Sequence, residues 1–524
     1  MTDQRSSVVA LLAALAWPIT NFVAVNLPDL VARGAIRQVA VPIAVLALVG
    51  AAVIRATARR FEAGDMLGHR IVLGAAGFAL MFFAYGDLVQ KASPLGAVPA
   101  QAAWIVVTAA VVGCIVVMAR HRPFRAAASV LCVAGFLAAA VQLAIAFARL
   151  PVTAAADRPV SEASAARLDG TNVYLIVLDG YLGHAEMKSI VDHDNGRFIE
   201  AMSGLGFRHL ERARANYVMT TFALGGIFNL DYGGQKGGSR SILTGLAFPT
   251  IATDPGRLPA LMQRYRASGY SVVHLGNRWA RCNAKLFDCP EAPRPIDHWV
   301  SYATAVFLQK TPLYPLLNAL AFTHDPTPLE ILPTILDRLP PGKPAFVLAH
   351  HMPPHPPYMF LSDCRRRPGF DALDLRGWEP QSKPLYAENA QCAEKLVEKA
   401  VQAIVRRDPE GLVIVQSDHG SGFLVDWKLP MAEWQAASIN ERSSIVNLVR
   451  APERCREWLR PDLGPINTMR FALSCLERRA PDYVVEKTVV TTYDYAYPEI
   501  CETKAVDTTA TSAARPISCA ATTP

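Results

Sequence analysis

Residues Gly411–Gly420, GLVIVQSDHG, decide the reading of this chain. Leu412–Val415 is aliphatic without polar alternation, the pattern of a strand covered on both faces in a parallel sheet. Gly420 lets the chain turn sharply after it. Asp418 and His419 then sit at the carboxyl end of a strand, where open α/β sheets hold their ligands. A carboxylate oxygen beside an imidazole nitrogen suits a divalent metal such as zinc or manganese. An Asp-His pair is also common in ordinary loops, so its weight depends on what accompanies it.

The chain has 524 residues, 51% of them hydrophobic, more than one soluble domain needs. The excess lies at the front. Five stretches have the length and apolarity of membrane spans: Val8 to Leu27, Gln38 to Val53, Ile71 to Val89, Ala103 to Ala119 and Ala126 to Ala148. A cleaved signal peptide would account for the first only, and no small-residue cleavage site stands out. Arg5, then Arg55, Arg59, Arg60 and Arg70, then Arg120, Arg122 and Arg125 fall on one side, against Arg33, Arg37 and Lys91 on the other, with Arg149 at the last exit. The first group is expected in the cytoplasm. An odd number of crossings then puts everything after residue 150 outside, in the periplasm of a Gram-negative cell.

Cysteine usage agrees. Cys114 and Cys132 fall in spans, which leaves an even number outside: Cys282, Cys289, Cys364, Cys392, Cys455, Cys475, Cys501 and Cys519. Cys282 and Cys289 are the expected local bridge; a Cys-rich metal site would want a C-x-x-C pair, and none is present. The net charge of +7 includes the cytoplasmic arginines, so no nucleic-acid partner is expected, and the attraction is at most to anionic lipid head groups. Oligomeric state is not legible.

After a linker of Ala, Ser and Pro at Pro151 to Asp169, short strand-type runs appear at Asn172–Leu178, Tyr270–Leu275, Ala345–Ala349, Leu412–Gln416 and Ser444–Val449. Helix-type stretches separate them. The clearest, Glu388–Arg407, carries Leu396, Val397, Ala400, Val401, Ile404 and Val405 on one face; Arg257–Ser268 and Asn467–Glu477 are weaker. The expected fold is α/β, a largely parallel sheet covered by helices, behind a bundle of about five transmembrane helices. The expected divisions are a transmembrane anchor at 1–150, a linker at 151–171, an extracytoplasmic domain at 172–500 and a disordered tail at 501–524. Tyr483–Thr492 reads as a peripheral β element. No internal repeat and no Walker-type or dinucleotide-binding glycine loop is present.

Three further stretches carry chemistry. Asp179 ends the first strand after the linker, in VLDGY, as Asp418 ends a later one; it would join a metal site if the strands are neighbours, or merely cap a turn. Asn216–Tyr232, NYVMTTFALGGIFNLDY, puts a hydroxyl, Thr220 or Thr221, at the start of a possible helix. There the dipole and a metal would favour an alkoxide and a bound oxyanion, although Thr at a helix start is commonly an N-cap. Ala349–Tyr358, AHHMPPHPPY, holds three of the twelve histidines among four prolines, which would stiffen the loop and aim His350 and His355. Either imidazole could protonate a leaving oxygen or bind a phosphoryl oxygen.

Taken in order, these motifs resemble the sulfatase-like hydrolase/transferase branch of the alkaline phosphatase superfamily, over about residues 172 to 477. Within it the membrane-anchored lipoteichoic acid synthase and phosphoethanolamine transferase group is most similar. The resemblance implies an acidic ligand at Asp179 and a nucleophile at Thr220 rather than Thr221, from a segment like NYxxTxLSLxSxLNMxY. Ala223, Gly225 and Gly226 depart from that segment's small hydroxyl residues. A P-H-P-P-aromatic loop matches Pro354–Tyr358, and the DHG pair matches Asp418 and His419. Glu441-Arg442 and Asn467-Thr468-Met469-Arg470 resemble family positions without an assigned role. HLGNRWAR at His274–Arg281 is similar to a head-group-binding stretch, with Trp279 and Arg281 as its counterparts, at a spacing shorter than in the relatives. No extracellular Cys fits the sulfatase C/S-x-P-x-R pattern, and no extracellular His has an Asp four residues before it, as in the D-x-x-x-H pair of the two-metal branches. The resemblance therefore implies one metal held by Asp179, Thr220, Asp418 and His419.

The expected function is metal-dependent transfer or hydrolysis of a phosphoryl-linked head group, of phosphoglycerol or phosphoethanolamine type, taken from a membrane lipid or envelope glycan at the outer face of the inner membrane. Two alternatives stand beside it: a sulfatase or phosphatase acting on soluble esters, and a catalytically silent sensor or assembly protein, to which the glycines after Thr220 lend support.

Overall fold

The computed structural model describes residues 2–32, 43–44, 48, 52, 66–92, 97–148, 167–232, 259–277, 282, 287–290, 302–321, 326–339, 341–368, 370, 376–427, 429–491 and 500–503. The chain forms two compact units, 1–152 with 293–322, and 153–292 with 323–524.

In the first unit the described helices are α1 (Thr2–Ala32), α2 (Met66–Phe83), α3 (Tyr85–Ala92), α4 (Ala97–Met118) and α5 (Arg122–Ala148). Four apolar stretches within them are long enough to cross a membrane: Ser7–Leu27, Met66–Phe83, Val98–Met118 and Arg122–Ala148. These correspond to four of the five expected spans; Gln38–Val53 lies largely outside the described residues. Two short helices from the middle of the sequence, Tyr302–Leu308 and Tyr314–Ala321, fold with this unit. Phe307 packs edge-on against Phe22 at 5.0 Å, and Lys310 pairs with Asp87. No hydropathy or motif signal set this segment apart in the sequence.

The second unit is built on a six-stranded sheet: β1 (Val173–Leu178), β2 (Arg208–His209), β3 (Ser271–Leu275), β4 (Ala345–His351), β5 (Leu412–Ser417) and β6 (Asn447–Arg450), in the order β2-β6-β5-β1-β4-β3. The β3–β4, β4–β1 and β1–β5 pairs are parallel; β6 runs antiparallel to β5, and β2 antiparallel to β6. The helices are α6 (His184–Val191), α7 (Gly196–Gly204), α8 (Thr220–Asn229), α9 (Ala260–Ala267), α10 (Pro328–Leu336), α11 (Lys383–Arg407), α12 (Ala436–Ser443) and α13 (Pro465–Leu476).

Both faces of the central strands are covered, which is why their sequences do not alternate. Val173, Leu175 and Val177 of β1 share a core with Leu224, Ile227 and Phe228 of α8, Tyr265 of α9 and Met469 of α13. Tyr174, Ile176 and Leu178 pack on the other side with Met187 of α6, Phe198 of α7, Leu332 of α10 and Val397, Val401 and Ile404 of α11. Helix α11 carries the expected stripe but starts five residues before Glu388. Pro384 stands in its first turn, where no backbone N–H is needed.

The strand-type run Ser444–Val449 overlaps β6, which is shorter and runs antiparallel to β5, because it returns directly from the α12 turn after β5. One expectation needs correction: residues 501–503, placed in a disordered tail, lie in β8 (Ile500–Thr503), which pairs with β7 (Thr488–Thr491), and the rest of that stretch lies outside the described residues. Disulfides join Cys282–Cys289, Cys364–Cys392 and Cys455–Cys475, the first being the expected one.

Candidate metal centre

The register of three adjacent strands builds the site. Leu178 of β1 pairs with His351 of β4 and with Ser417 of β5, so the residues that follow, Asp179 and Asp418, emerge side by side at one sheet edge with His350 of β4 next to them. Asp179, His350 and Asp418 are buried, and each offers a ligand atom within 4.8 Å of the others. His350 is therefore aimed by a β-strand and not by the proline loop, as its sequence context had suggested; β4 runs on through His351.

Thr220 is the first residue of α8, with Thr221 buried behind it. The Thr220 Oγ1 lies 2.9 Å from His419 Nε2 and 3.4 Å from Asp179 Oδ1. His419 Nε2 is in turn 3.7 Å from Asp179 Oδ1 and 3.5 Å from Asp418 Oδ2. Four donors around one ion at ~2.1 Å would stand about 3.4 Å apart in a tetrahedron. Asp418 Oδ1 accepts from the backbone N–H groups of Gly180 at 3.1 Å and His419 at 2.8 Å, whereas the buried Oδ2 accepts no hydrogen bond among the described residues. A buried carboxylate oxygen left this way is costly unless something binds it. Two carboxylates, an imidazole and a hydroxyl make a donor set that a divalent ion such as zinc or manganese fits.

Electrostatics fit the same reading. Burial raises Asp179, but the neighbouring imidazoles of His355, His350 and His419, with a hydrogen bond from His350, outweigh it and hold this carboxyl well below the usual range. Burial and the Asp179 charge push Asp418 up to about 7. Burial and the Arg442 charge keep His419 neutral, as a ligand must be.

His355 is half-buried, with its ring edge-on to Trp378 at 5.2 Å and 6.3 Å from the His419 ring. Its Nδ1 donates to the Pro356 carbonyl at 2.6 Å, so Nε2 is left as an acceptor. Burial lowers its pKa and keeps it neutral near pH 7. Trp279 and Arg281 lie outside the described residues.

Residues without an assigned role in the sequence hold the site together. Glu441 accepts from the Ser421 hydroxyl at 2.5 Å and from the N–H groups of Phe423 and Leu424, both at 2.7 Å. The buried Arg442 donates to the carbonyls of Gly420 at 2.9 Å and Val218. One guanidinium thus ties the turn after His419 to the strand of chain leading into Thr220. Gly420 makes that turn possible, because a Cβ there would stand 2.0 Å from the Glu441 carbonyl oxygen. The adjacent Glu-Arg pair was the only sequence signal for this staple.

No family model matches the sequence, and no curated protein matches it. Among solved structures, the chain is similar to the zinc complex of the C-terminal periplasmic domain of EcEptC from Escherichia coli. The identity is 13%, 62% of this chain and 90% of that chain are covered, and the TM-score is 0.40. It is likewise similar to the soluble domain of lipooligosaccharide phosphoethanolamine transferase A from Neisseria meningitidis (12% identity, 59% and 92% covered, TM-score 0.37). A protein of glycosaminoglycan metabolism from Bacteroides thetaiotaomicron is a third (14%, 64% and 85%, TM-score 0.38).

Proposed function

We propose that this chain is a membrane-anchored, metal-dependent hydrolase or transferase that moves or cleaves a phosphoryl-linked head group, of phosphoglycerol or phosphoethanolamine type, with Thr220 as nucleophile. The observation that carries the reading is the position of Thr220 Oγ1, at a helix N-terminus and 2.9 Å and 3.4 Å from two groups of a buried carboxylate-imidazole cluster. Asp179, Thr220, Asp418 and His419 would hold the ion. When bound, it supplies positive charge that lowers the pKa of the threonine hydroxyl and offsets charge on the phosphoryl oxygens.

The chain's own groups do the rest. Thr220 gives up its proton to solvent, and Oγ1 forms a bond to phosphorus as the bond to the lipid alcohol's oxygen breaks, that oxygen taking up a proton from solvent. The N-terminal N–H groups of α8 face the developing oxyanion. His350, whose Nε2 lies 3.2 Å from Asp179 Oδ2, orients that carboxylate. His355, neutral with an accepting Nε2, takes the proton of the second acceptor, an alcohol or water, as that oxygen displaces Thr220. Trp279 and Arg281 are assigned to the head group. Four membrane-length helices hold the protein where lipid head groups lie, and three disulfides suit an oxidising compartment, which favours the periplasmic side of the inner membrane for the second unit.

The test is intact-mass and peptide-mass analysis of the full-length protein in detergent after incubation with zinc or manganese and mixed bacterial phospholipids. A mass increment on Thr220, absent from Thr220→Ala, is the expected outcome and identifies the group moved. A head-group increment on another residue, or turnover that survives in Thr220→Ala, would rule out the threonine mechanism.

A further inference from the structure

We propose that Asn277 is a positioning residue that locks the tautomer of His350 and so keeps this buried histidine out of the metal's ligand set, as a proton-bearing donor. This rests on the metal reading above. By distance alone His350 qualifies as a ligand as well as His419 does, since its donor atom clusters with Asp179 and Asp418. Hydrogen bonding separates the two.

Asn277 stands two residues beyond the end of β3, beside β4. Its Nδ2 donates to the His350 carbonyl oxygen at 2.8 Å. A carbonyl only accepts, so this bond fixes which end of the amide is nitrogen. The same amino group, with its second hydrogen, lies 3.2 Å from His350 Nδ1. Nδ1 must then accept, and the ring proton sits on Nε2. That nitrogen is 3.2 Å from Asp179 Oδ2, while Oδ1 of the same carboxylate faces Thr220 and His419.

His419 has the opposite arrangement. Its Nδ1 lies 2.8 Å from the Gly420 carbonyl, so Nδ1 carries the proton and Nε2 presents a lone pair. Two imidazoles on either side of Asp179 are thus set in opposite tautomers by their outer partners, one as ligand and one as donor. His350 thus orients Asp179 from outside the set of residues that would hold the ion.

The experiment counts imidazoles around zinc by X-ray absorption in the full-length protein, with zinc content measured by mass spectrometry, for wild type, His350→Gln, Asn277→Asp and the double variant. Wild type is expected to hold one zinc with one imidazole, and His350→Gln to keep both counts. Asn277→Asp offers an acceptor to Nδ1–H, so it frees the Nε2 lone pair; its zinc is expected to gain a second imidazole, which the double variant loses again. Two imidazoles in wild type, loss of zinc in His350→Gln, or an unchanged count in Asn277→Asp would overturn the inference. The first two results do not depend on how well Asn277→Asp folds. Absence of zinc from wild type would instead overturn the metal reading itself.

Discussion

Single residues of this site differ in how far their surroundings dictate what they do. His274 is the plainest case. It lies fully buried on β3, paired in register with Leu348, its ring edge-on to Phe287 at 5.2 Å. Burial, with a smaller contribution from the His350 charge, lowers its pKa to about 3. In the unfolded chain the same group titrates near the ordinary imidazole value of 6.5. Between those values the unfolded state binds more protons, so the group's contribution is fully present above 6.5 and is lost as pH falls toward 3. The loss per pH unit is at most about 1.4 kcal/mol. His274→Leu is therefore expected to flatten the acid side of the stability profile, read as urea midpoints between pH 4.5 and 7. Parallel profiles for the two proteins would show that His274 is protonated in the folded state.

Among the elements, α8 has the most demanding position, because its first residue is Thr220. In its sequence two glycines stand where the relatives carry small hydroxyl residues, and packing gives the second its purpose: a Cβ on Gly226 would stand 2.9 Å from the Tyr217 ring and 3.0 Å from Ile466 Cδ1 of α13. Gly226→Ala gains about 1 kcal/mol of helix propensity and loses ~1–3 kcal/mol to overpacking, so a net destabilisation of up to about 2 kcal/mol is expected. The shift of α8 needed to relieve the contact would also move Thr220. Chemical denaturation and zinc affinity of the variant check both parts. Greater stability together with unchanged metal binding would mean that α8 has room to spare. The strands behave differently. β1, β4 and β5 were legible as aliphatic runs, whereas their adjacency, on which the convergence of Asp179, His350 and Asp418 depends, is a property of the sheet.

At the scale of the whole molecule, six cysteines are tied into three disulfides, all in the second unit, while Cys114 and Cys132 remain free in the first. Two thiols per bridge make six. Alkylation of the denatured protein purified from membranes should add at least six more groups after reduction than before it. Equal labelling with and without reduction would place the second unit in a reducing compartment and remove the basis for the periplasmic assignment. The return of 302–321 to the first unit belongs to this scale too. Phe307 is held there by Phe22, 285 positions earlier in the chain, and Lys310 by Asp87.

Local chemistry made several features readable without any structure. Spans follow from apolar length, the two-sided sheet from strands that lack alternation, α11 from its stripe, and Asp179, Asp418 and His419 as candidates from residue types at element ends, while the choice of Thr220 over Thr221 came from the resemblance. Only tertiary structure put His350 on a strand beside Asp179, used Glu441 and Arg442 as the staple of the DHG turn, and gave Asn277 its hold on His350. Those relations join residues tens to hundreds of positions apart, and they depend on strand order and register. Hydrophobic periodicity specifies which face of a strand is buried, but it carries no information about which strand lies next to it.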